Sequence, residues 1–572
     1  MAKKLTKILS LVLVICMAFS SAACFGKKGS NNPNVLDVYM LYKGYGDEWL
    51  TPLFDSFVEQ DWVKEKYPGI TRSNITYSHD SNDATPHTKL AQGASLNTYD
   101  LMFGVNLQGK EDSGVLADLT DSVYLRDVPG EPGVKVIDKI PQRVLDRVHR
   151  VNAPEREDGN DTYHVLSYTD GLYGFIYNEY ILVDQLGLSV PLTTDQFMEV
   201  GDYIKTNGYV GMEAQKYPEF ADQTKNYTVI RNRANDNYMN TLYSIFWGQY
   251  EGLENVVNYY NGYDEDLATN GSRTVLFQEG RLNSLQVVED IIRGYTDLYA
   301  TDIRDNTVAQ SGFLSGMGVF HYNGDYFASE MRATLANINN PDANHPYKNK
   351  IKFMKMPVIS SIVEKLSFYT DGETDYLTLS EQKREAYDQK LQMIIKDVDN
   401  NLLYNDSISK TNGISKADFD IVAAARQICG YAAAGGHTAV IPSYSPAKEL
   451  ASDFLVYMYT EQAIRSFTIN SKGIVLPSTY DISADPEIMS ALDMVSKSKI
   501  EMLKGTSNYE FTRLISPEAT LLGKKGLTAL RFEGYFEVNF HAKTVGGISA
   551  EDIIANELAY WNESSWDQTF GG

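Results

Sequence analysis

Cysteine is nearly absent from this 572-residue chain, which has only Cys16, Cys24 and Cys429. Cys16 lies in an N-terminal apolar stretch and Cys24 directly follows Ser21-Ala22-Ala23, so a processed chain keeps Cys429 with no partner to bridge to. An intramolecular disulfide framework is excluded, and a chain of this length has to hold its fold by core size instead. Positive charge is also short. Lys and Arg number 51 against 75 Asp and Glu, and the formal charge of −24 excludes nucleic acid and anionic lipid surfaces as ligands. Tryptophan is rare, at 5 residues against 39 Tyr and 23 Phe. Tyrosine offers an apolar face with a hydroxyl, suited to ligands such as sugars or peptides, although ordinary surface and core positions account for most of the 39.

Catalytic and cofactor signatures are missing too. No His begins an H-E-x-x-H zinc site, and there is neither a G-x-S-x-G elbow nor a phosphate-binding G-x-x-x-x-G-K-[ST] loop. Asp397-x-Asp399-x-Asn401 opens like a calcium loop, but Leu402 replaces the required Gly and Ile408 the required Glu. A charged, solvated loop is the expected reading, with no metal, no cofactor and no catalytic residue assigned. Acidic residues are abundant, yet none is singled out as a glycosidase pair.

A long hydrophobic run is lacking as well. Ile8–Phe19 is well short of the ~20 residues that span a bilayer. Preceded by Lys3, Lys4 and Lys7 and followed by small residues, it has the layout of a secretory signal. With Cys24 at the cleavage point, it resembles a bacterial lipobox. The expected organisation is a signal peptide over 1–23, a lipidated Cys24, and a flexible Gly/Ser/Asn/Pro tether to 34. Removing the three lysines takes the charge to −27. The mature protein is then expected on the outer face of the cytoplasmic membrane, held by acyl chains.

From Val35 the pattern is strand, helix, strand: a β-rich run over 35–41, an apolar helical face over 47–66 broken by Pro68-Gly69, then Ile75-Thr76-Tyr77. A helix over 83–94 and a strand over 99–103, ended by Gly104, continue the alternation. This implies an α/β fold with a largely parallel sheet, whose ligand crevice lies beyond the carboxyl ends of the strands. The candidates there are Tyr42, Tyr45, His79, Asp80 and the stretch from Gly104 to Leu107. Helices are expected over 194–207, 238–249, 280–299 and 549–561, while the polar stretch 360–420 yields no secure elements.

Six further motifs, in order, make the chain resemble the extracellular solute-binding proteins of ABC importers, in the sugar- and maltodextrin-binding family 1. They are Tyr99-Asp100-Leu101-Met102-Phe103, Gly114–Thr120 (GVLADLT), Gly171–Asn178 (GLYGFIYN), Leu186-Gly187-Leu188 with Pro191–Phe197, Phe313–Tyr326 (FLSGMGVFHYNGDY) and Gly435–Ala451 (GGHTAVIPSYSPAKELA). The chain departs from the pattern at Thr194 and at Tyr326, where the family usually carries Trp.

The resemblance implies a two-lobed, type II periplasmic-binding-protein-like fold with several crossings and a ligand cleft between the lobes. Lobe 1 is expected to take 35–168 and 358–475, lobe 2 169–357 and 476–572, with 360–420 as an insertion. The implied function is capture of a small polar ligand, foremost a carbohydrate, by hinge closure and its delivery to a membrane permease. The chain is expected to act as a monomer without catalysis. The candidate ligand-binding residues are Tyr42, Tyr45, Asp80, Gly104, Tyr173, Trp247, Asn323, Asp325, Tyr326 and Gly436. Tyr326 inherits the stacking aromatic of sugar-binding relatives. Asp80 and Asp325 suit sugar hydroxyls or an ammonium group, and Trp247, on an apolar helical face, equally suits a core. A secreted lipoprotein glycosidase and a peptide-binding lipoprotein are the alternatives.

Overall fold

The computed structural model describes residues 32–570 except 106, 108–109, 111–112, 151–152, 212–224, 227, 233–236, 262, 265–268, 271, 297–304, 373, 431–436, 506–507, 509–511 and 515–547. The expected signal peptide, Cys24 and Gly436 lie outside the described residues. Among those described, no helix is long and apolar enough to cross a membrane.

The chain begins with β1 (Leu36–Leu41), α1 (Leu50–Val58), α2 (Asp61–Lys66), β2 (Ile75–Asp80), α3 (Ala84–Gln92) and β3 (Leu101–Val105). Next come β4 (Leu166–Ser167), β5 (Tyr173–Asn178), α4 (Thr194–Asn207), α5 (Asn240–Glu251), α6 (Glu279–Tyr295), β6 (Phe320–Gly324) and β7 (Ile351–Phe353). The remaining principal elements are α7 (Glu381–Asp399), α8 (Lys416–Arg426), β8 (Ile428–Gly430), β9 (His437–Val440), α9 (Lys448–Tyr457), α10 (Met494–Lys504), β10 (Thr512–Leu514) and α11 (Ala550–Tyr560).

Two compact units result. The first takes the described residues within Met1–Lys43, Leu50–Tyr168 and Gly435–Ile464; the second takes those within Gly44–Trp49, Thr169–Ala434 and Arg465–Gly572. Unit 1 is built on a five-stranded sheet in the order β2-β1-β3-β9-β4. Its first three strands are parallel, as βαβ crossovers require, whereas β9 returns antiparallel to β3 and β4 lies antiparallel to β9. The sheet of unit 2 follows the order β6-β5-β8-β10, with β7 also on β5, and its β5 pairings are antiparallel. The expectation of a largely parallel sheet thus holds for the opening of unit 1, while in unit 2 only β8 and β10 pair parallel among the described strands.

In unit 1 the apolar stripe of α1 buries Leu50, Leu53, Phe54 and Phe57, and Phe454 of α9 packs on the two phenylalanine rings at 4.9 and 5.4 Å. The helix expected over 47–66 is two helices, and Trp49 belongs to unit 2, packing on Phe467 at 4.9 Å. At the heart of α9, the fully buried Asp453 accepts from the Tyr67 hydroxyl at 2.6 Å, pairs with Lys66 at 2.8 Å, and also binds Arg126.

The expected boundary at 358 is corrected: the described residues within 358–430 belong to unit 2, and those from His437 to Ile464 belong to unit 1. Residues 465–475 also lie in unit 2. The reason is the apolar face of α7, which buries Leu391, Ile394, Ile395 and Val398 in the core of unit 2 together with Phe419 and Val422 of α8. The solvated loop expected at 397–401 is instead the end of α7. Asp397 is buried and accepts from the Ser409 amide at 2.8 Å, while Asp399 is clasped by Lys355 at 2.8 Å and Arg426 at 2.7 Å.

Helix α4 starts where Thr193 caps it by accepting from the Gln196 amide at 3.2 Å. Helix α11 opens with a Ser549–Asp552 capping box. It docks through Glu557, which binds Arg281 at 2.7 Å and the Tyr259 hydroxyl at 3.0 Å, with both charges 1% exposed. Truncating Glu557 to Ala strands the Arg281 charge and is expected to cost about 3–5 kcal/mol in denaturant unfolding. The double change Arg281→Met with Glu557→Leu should recover most of that loss.

Candidate functional site

The register of β5 against β6 places Tyr173 opposite Gly324, so the start of one strand meets the end of the other. The chain leaving β6 then presents Asp325 and Tyr326, and around Tyr326 unit 2 assembles a tyrosine cluster. Tyr45 meets the Tyr326 ring edge-on at 5.6 Å and 87°, Tyr173 does so at 6.3 Å and 90°, and Tyr238 approaches at 5.9 Å. Tyr173 in turn lies 5.4 Å from Tyr238 and stacks on Tyr322 at 6.2 Å.

The Tyr326 hydroxyl donates to that of Tyr173 at 3.4 Å. Burial first, then the neighbouring Tyr173 and Tyr238, push its ionisation well above the usual phenol range. Tyr326 is itself buried, whereas Tyr173 and Tyr238 are half-exposed. Tyr173 and Tyr238 are therefore the partly exposed rings of the cluster, and Tyr326 packs behind them. Space here is tight: a Cβ on Gly44 would fall 2.8 Å from the Tyr326 ring, so only glycine lets the chain pass.

Asp325 anchors the cluster. One carboxylate oxygen accepts from the Tyr45 hydroxyl at 3.0 Å and the other lies 3.5 Å from the Lys499 ammonium of α10. Both charged side chains are within 1% of full burial, and Lys499 also donates to the Gly473 carbonyl. At Gly171 a Cβ would sit 2.2 Å from the carboxylate, which excludes any side chain there.

Asn323, fully buried, donates to His321 Nε2 at 2.9 Å, and its own oxygen accepts from the Gly324 amide at 2.7 Å. Since His321 Nδ1 donates to the Arg231 carbonyl at 2.6 Å, the ring is held neutral, and burial lowers its pKa to about 4.

Trp247 is corrected to a core residue. It is 1% exposed, stacks on Tyr243 at 5.6 Å, meets Tyr259 edge-on at 4.9 Å and donates to Gln278 at 2.9 Å. Its helix α5 is buried on several sides, so an apolar face there signals packing.

In unit 1 the strand-end candidates do gather. Tyr42, 41% exposed, faces the His79 ring at 5.1 Å, and its amide donates to the Asp80 carbonyl at 2.7 Å. The Asp80 carboxylate accepts from the Tyr39 hydroxyl at 3.1 Å and the Asn82 amide at 2.9 Å. Gly104 lies within β3 rather than ending it, paired with Thr438, and a Cβ there would press on Leu107 at 3.0 Å. Tyr238, Tyr322 and Lys499 were not among the candidates. The isolated Tyr238 carries no pattern, and Lys499 reads as the polar side of an amphipathic helix.

The fold has known counterparts, although no family model matches the chain and no curated protein sequence does. A chitin oligosaccharide binding protein aligns at 14% identity over 94% of this chain and 99% of its own, with a TM-score of 0.51. The GacH receptor of Streptomyces glaucescens GLA.O, solved unliganded and with acarbose, aligns at 13% identity over 94% and 98%, also at 0.51. A probable secreted solute-binding lipoprotein from Streptomyces coelicolor gives 13%, 93%, 99% and 0.51. The chain thus has the α/β periplasmic-binding-protein-like fold of the solute-binding proteins.

The neutral His321 makes a pH prediction. Its pKa falls from 6.5 unfolded to about 4 folded, so its contribution is complete above pH 6.5 and is lost as pH falls towards 4. The shift amounts to about 3 kcal/mol over that window at ~1.4 kcal/mol per pH unit. Unfolding free energies measured between pH 7 and 4 should fall less steeply for His321→Gln than for the natural chain.

Proposed function

We propose that this chain is the extracellular, lipid-anchored solute-binding component of an ABC import system. It captures a small polar ligand, foremost a carbohydrate or oligosaccharide, by hinge closure and passes it unaltered to a membrane permease. The observation that carries the reading is the tyrosine cluster at Asp325: half-exposed rings beside a carboxylate whose charge is already matched by Lys499. Such a surface suits apolar sugar faces and their hydroxyls. The neighbours named for chitin oligosaccharide and acarbose share the fold and support the same class of ligand. The lipobox-like run ending at Cys24 supports tethering outside the membrane, by diacylglyceryl attachment to that sulfur.

A peptide ligand would need an unmatched carboxylate for its terminal ammonium; Asp325 is paired by Lys499, which leaves Asp80 as the candidate for that role. A glycosidase would need two carboxyl groups flanking a bond. Asp325 is the one carboxylate among the described members of the cluster, and it is sealed from solvent. Tyr42, Asp80 and Gly436 remain candidate ligand contacts as well.

Thermal shift measurements with neutral oligosaccharides and oligopeptides test the reading, because a ligand that engages only the folded protein raises the melting temperature. At least one oligosaccharide should raise it and be recovered intact, with Tyr173→Ala and Tyr238→Ala each weakening binding about tenfold, or ~1.4 kcal/mol. A rise with peptides alone, or cleavage of the saccharide, would contradict it.

A further inference from the structure

We propose that Lys499 is the positioning residue of the ligand-binding tyrosines: its ammonium touches no ligand and holds Tyr173 and Tyr326 in place through the carboxylate of Asp325. This rests on the assignment of Tyr173 and Tyr238 as ligand contacts. Lysine is almost never fully buried unless it is paired. Lys499 is 1% exposed, whereas Lys504 on the same helix α10 lies in solvent. A lysine sealed beside a tyrosine cluster therefore has a partner that matters there.

The helix that carries Lys499 is clamped on three sides. Asp493 caps α10 by accepting from the Ser496 amide at 2.9 Å, and the Ser496 hydroxyl donates to the Lys472 carbonyl at 2.7 Å. The Phe353 amide of β7 donates to the Ser498 hydroxyl at 2.9 Å. A Cβ on Gly473 would fall 2.7 Å from Ser496, so glycine lets the chain lie close against the helix. These contacts fix where the ammonium stands. It donates to the Gly473 carbonyl and lies 3.5 Å from the Asp325 carboxylate.

Asp325 passes that placement on to the rings. Its amide donates to the Leu172 carbonyl at 2.9 Å, one residue before Tyr173, and its carboxylate fills the space that a Cβ on Gly171 would need. The same carboxylate accepts from the Tyr45 hydroxyl, and the Tyr45 ring meets that of Tyr326 edge-on. Of the titratable groups around the pair, Tyr45 faces Asp325, Tyr326 follows it in the chain, and Asp493 with Lys472 lies near Lys499. Without the ammonium, the buried carboxylate has to take up a proton or draw in water. Hydration of the bare charge displaces the corner that seats the rings, and the proton spares it.

The test compares the natural chain with Lys499→Met, Asp325→Asn and the double variant. Each is titrated with maltotriose and with chitotriose, and the ligand-free tyrosines are followed by near-ultraviolet circular dichroism. Lys499→Met should weaken binding of the responding sugar about tenfold or more near neutrality and regain it as pH falls, because a proton then replaces the ammonium. Asp325→Asn strands the ammonium instead, so its loss should reverse in the opposite direction, as pH rises. The tyrosine spectrum of each single variant should shift with the same pH dependence as its binding. The double variant, with no charge left to match, should bind within about threefold of the natural chain at either end of the range and keep its spectrum. Should Lys499→Met fail to fold, Asp325→Asn and the double variant still decide the matter. Unchanged binding or an unchanged spectrum in the single variants overturns the proposal. So does a loss that is independent of pH and persists in the double variant, which is what a lysine with only a structural role gives. A natural chain that binds neither sugar overturns the ligand assignment, and the positioning role with it, whatever the spectra show.

Discussion

The buried charge of Asp325 is the constraint on which the tyrosine cluster depends. A carboxylate taken out of water is costly unless it is paired and hydrogen-bonded, and here the Tyr45 hydroxyl and the Lys499 ammonium supply both. That pairing fixes the chain beyond β6, seats Tyr326 behind Tyr173 and Tyr238, and forbids a side chain at Gly171. It also leaves no unmatched charge between Asp325 and Lys499 beside the rings.

The same device recurs through a fold without disulfides. In unit 1, Asp453 ties α9 to Lys66, Tyr67 and Arg126; in unit 2, Glu557 ties α11 to Arg281 and Tyr259. Each buries its carboxylate in a satisfied network, fully sealed at Glu557 and reaching the partly exposed Lys66 and Arg126 at Asp453, so leaving that buried acid unpaired costs more than the pair itself contributes. These networks specify where a helix docks, a task that apolar contacts, being non-directional, do poorly.

Helical periodicity revealed 194–207, whose buried Phe197, Gly201 and Ile204 repeat on one face. A β-rich composition revealed the strand at 36–41, which is buried at nearly every residue. Thr193 and Ser549 mark helix starts by their caps. Helix α7 stayed hidden because its buried face carries Asp388 and Asp397 among Leu391, Ile394 and Ile395. Those acids find partners in Thr193, Ser360 and Ser409, which lie far off in sequence or across a turn. Tyr45, Tyr173, Asp325 and Tyr326 were legible from strand ends and from the Gly171–Asn178 and Phe313–Tyr326 motifs. Lys499 was not, since only the tertiary fold brings a lysine 174 residues away to Asp325. Trp247 was misread for a related reason: its helix is buried on more than one side, which erases the difference between a binding face and a core face.

The central claim is that half-exposed tyrosines beside a neutralised carboxylate receive an uncharged polar ligand and release it unchanged. Near-ultraviolet difference absorption during titration with a neutral oligosaccharide, followed by recovery of the sugar, addresses it most directly. A saturable tyrosine perturbation that is lost in Tyr173→Ala, with the sugar returned at its original chain length, is the expected result. Binding that leaves the tyrosine spectrum unmoved, or a shortened sugar, would contradict the account.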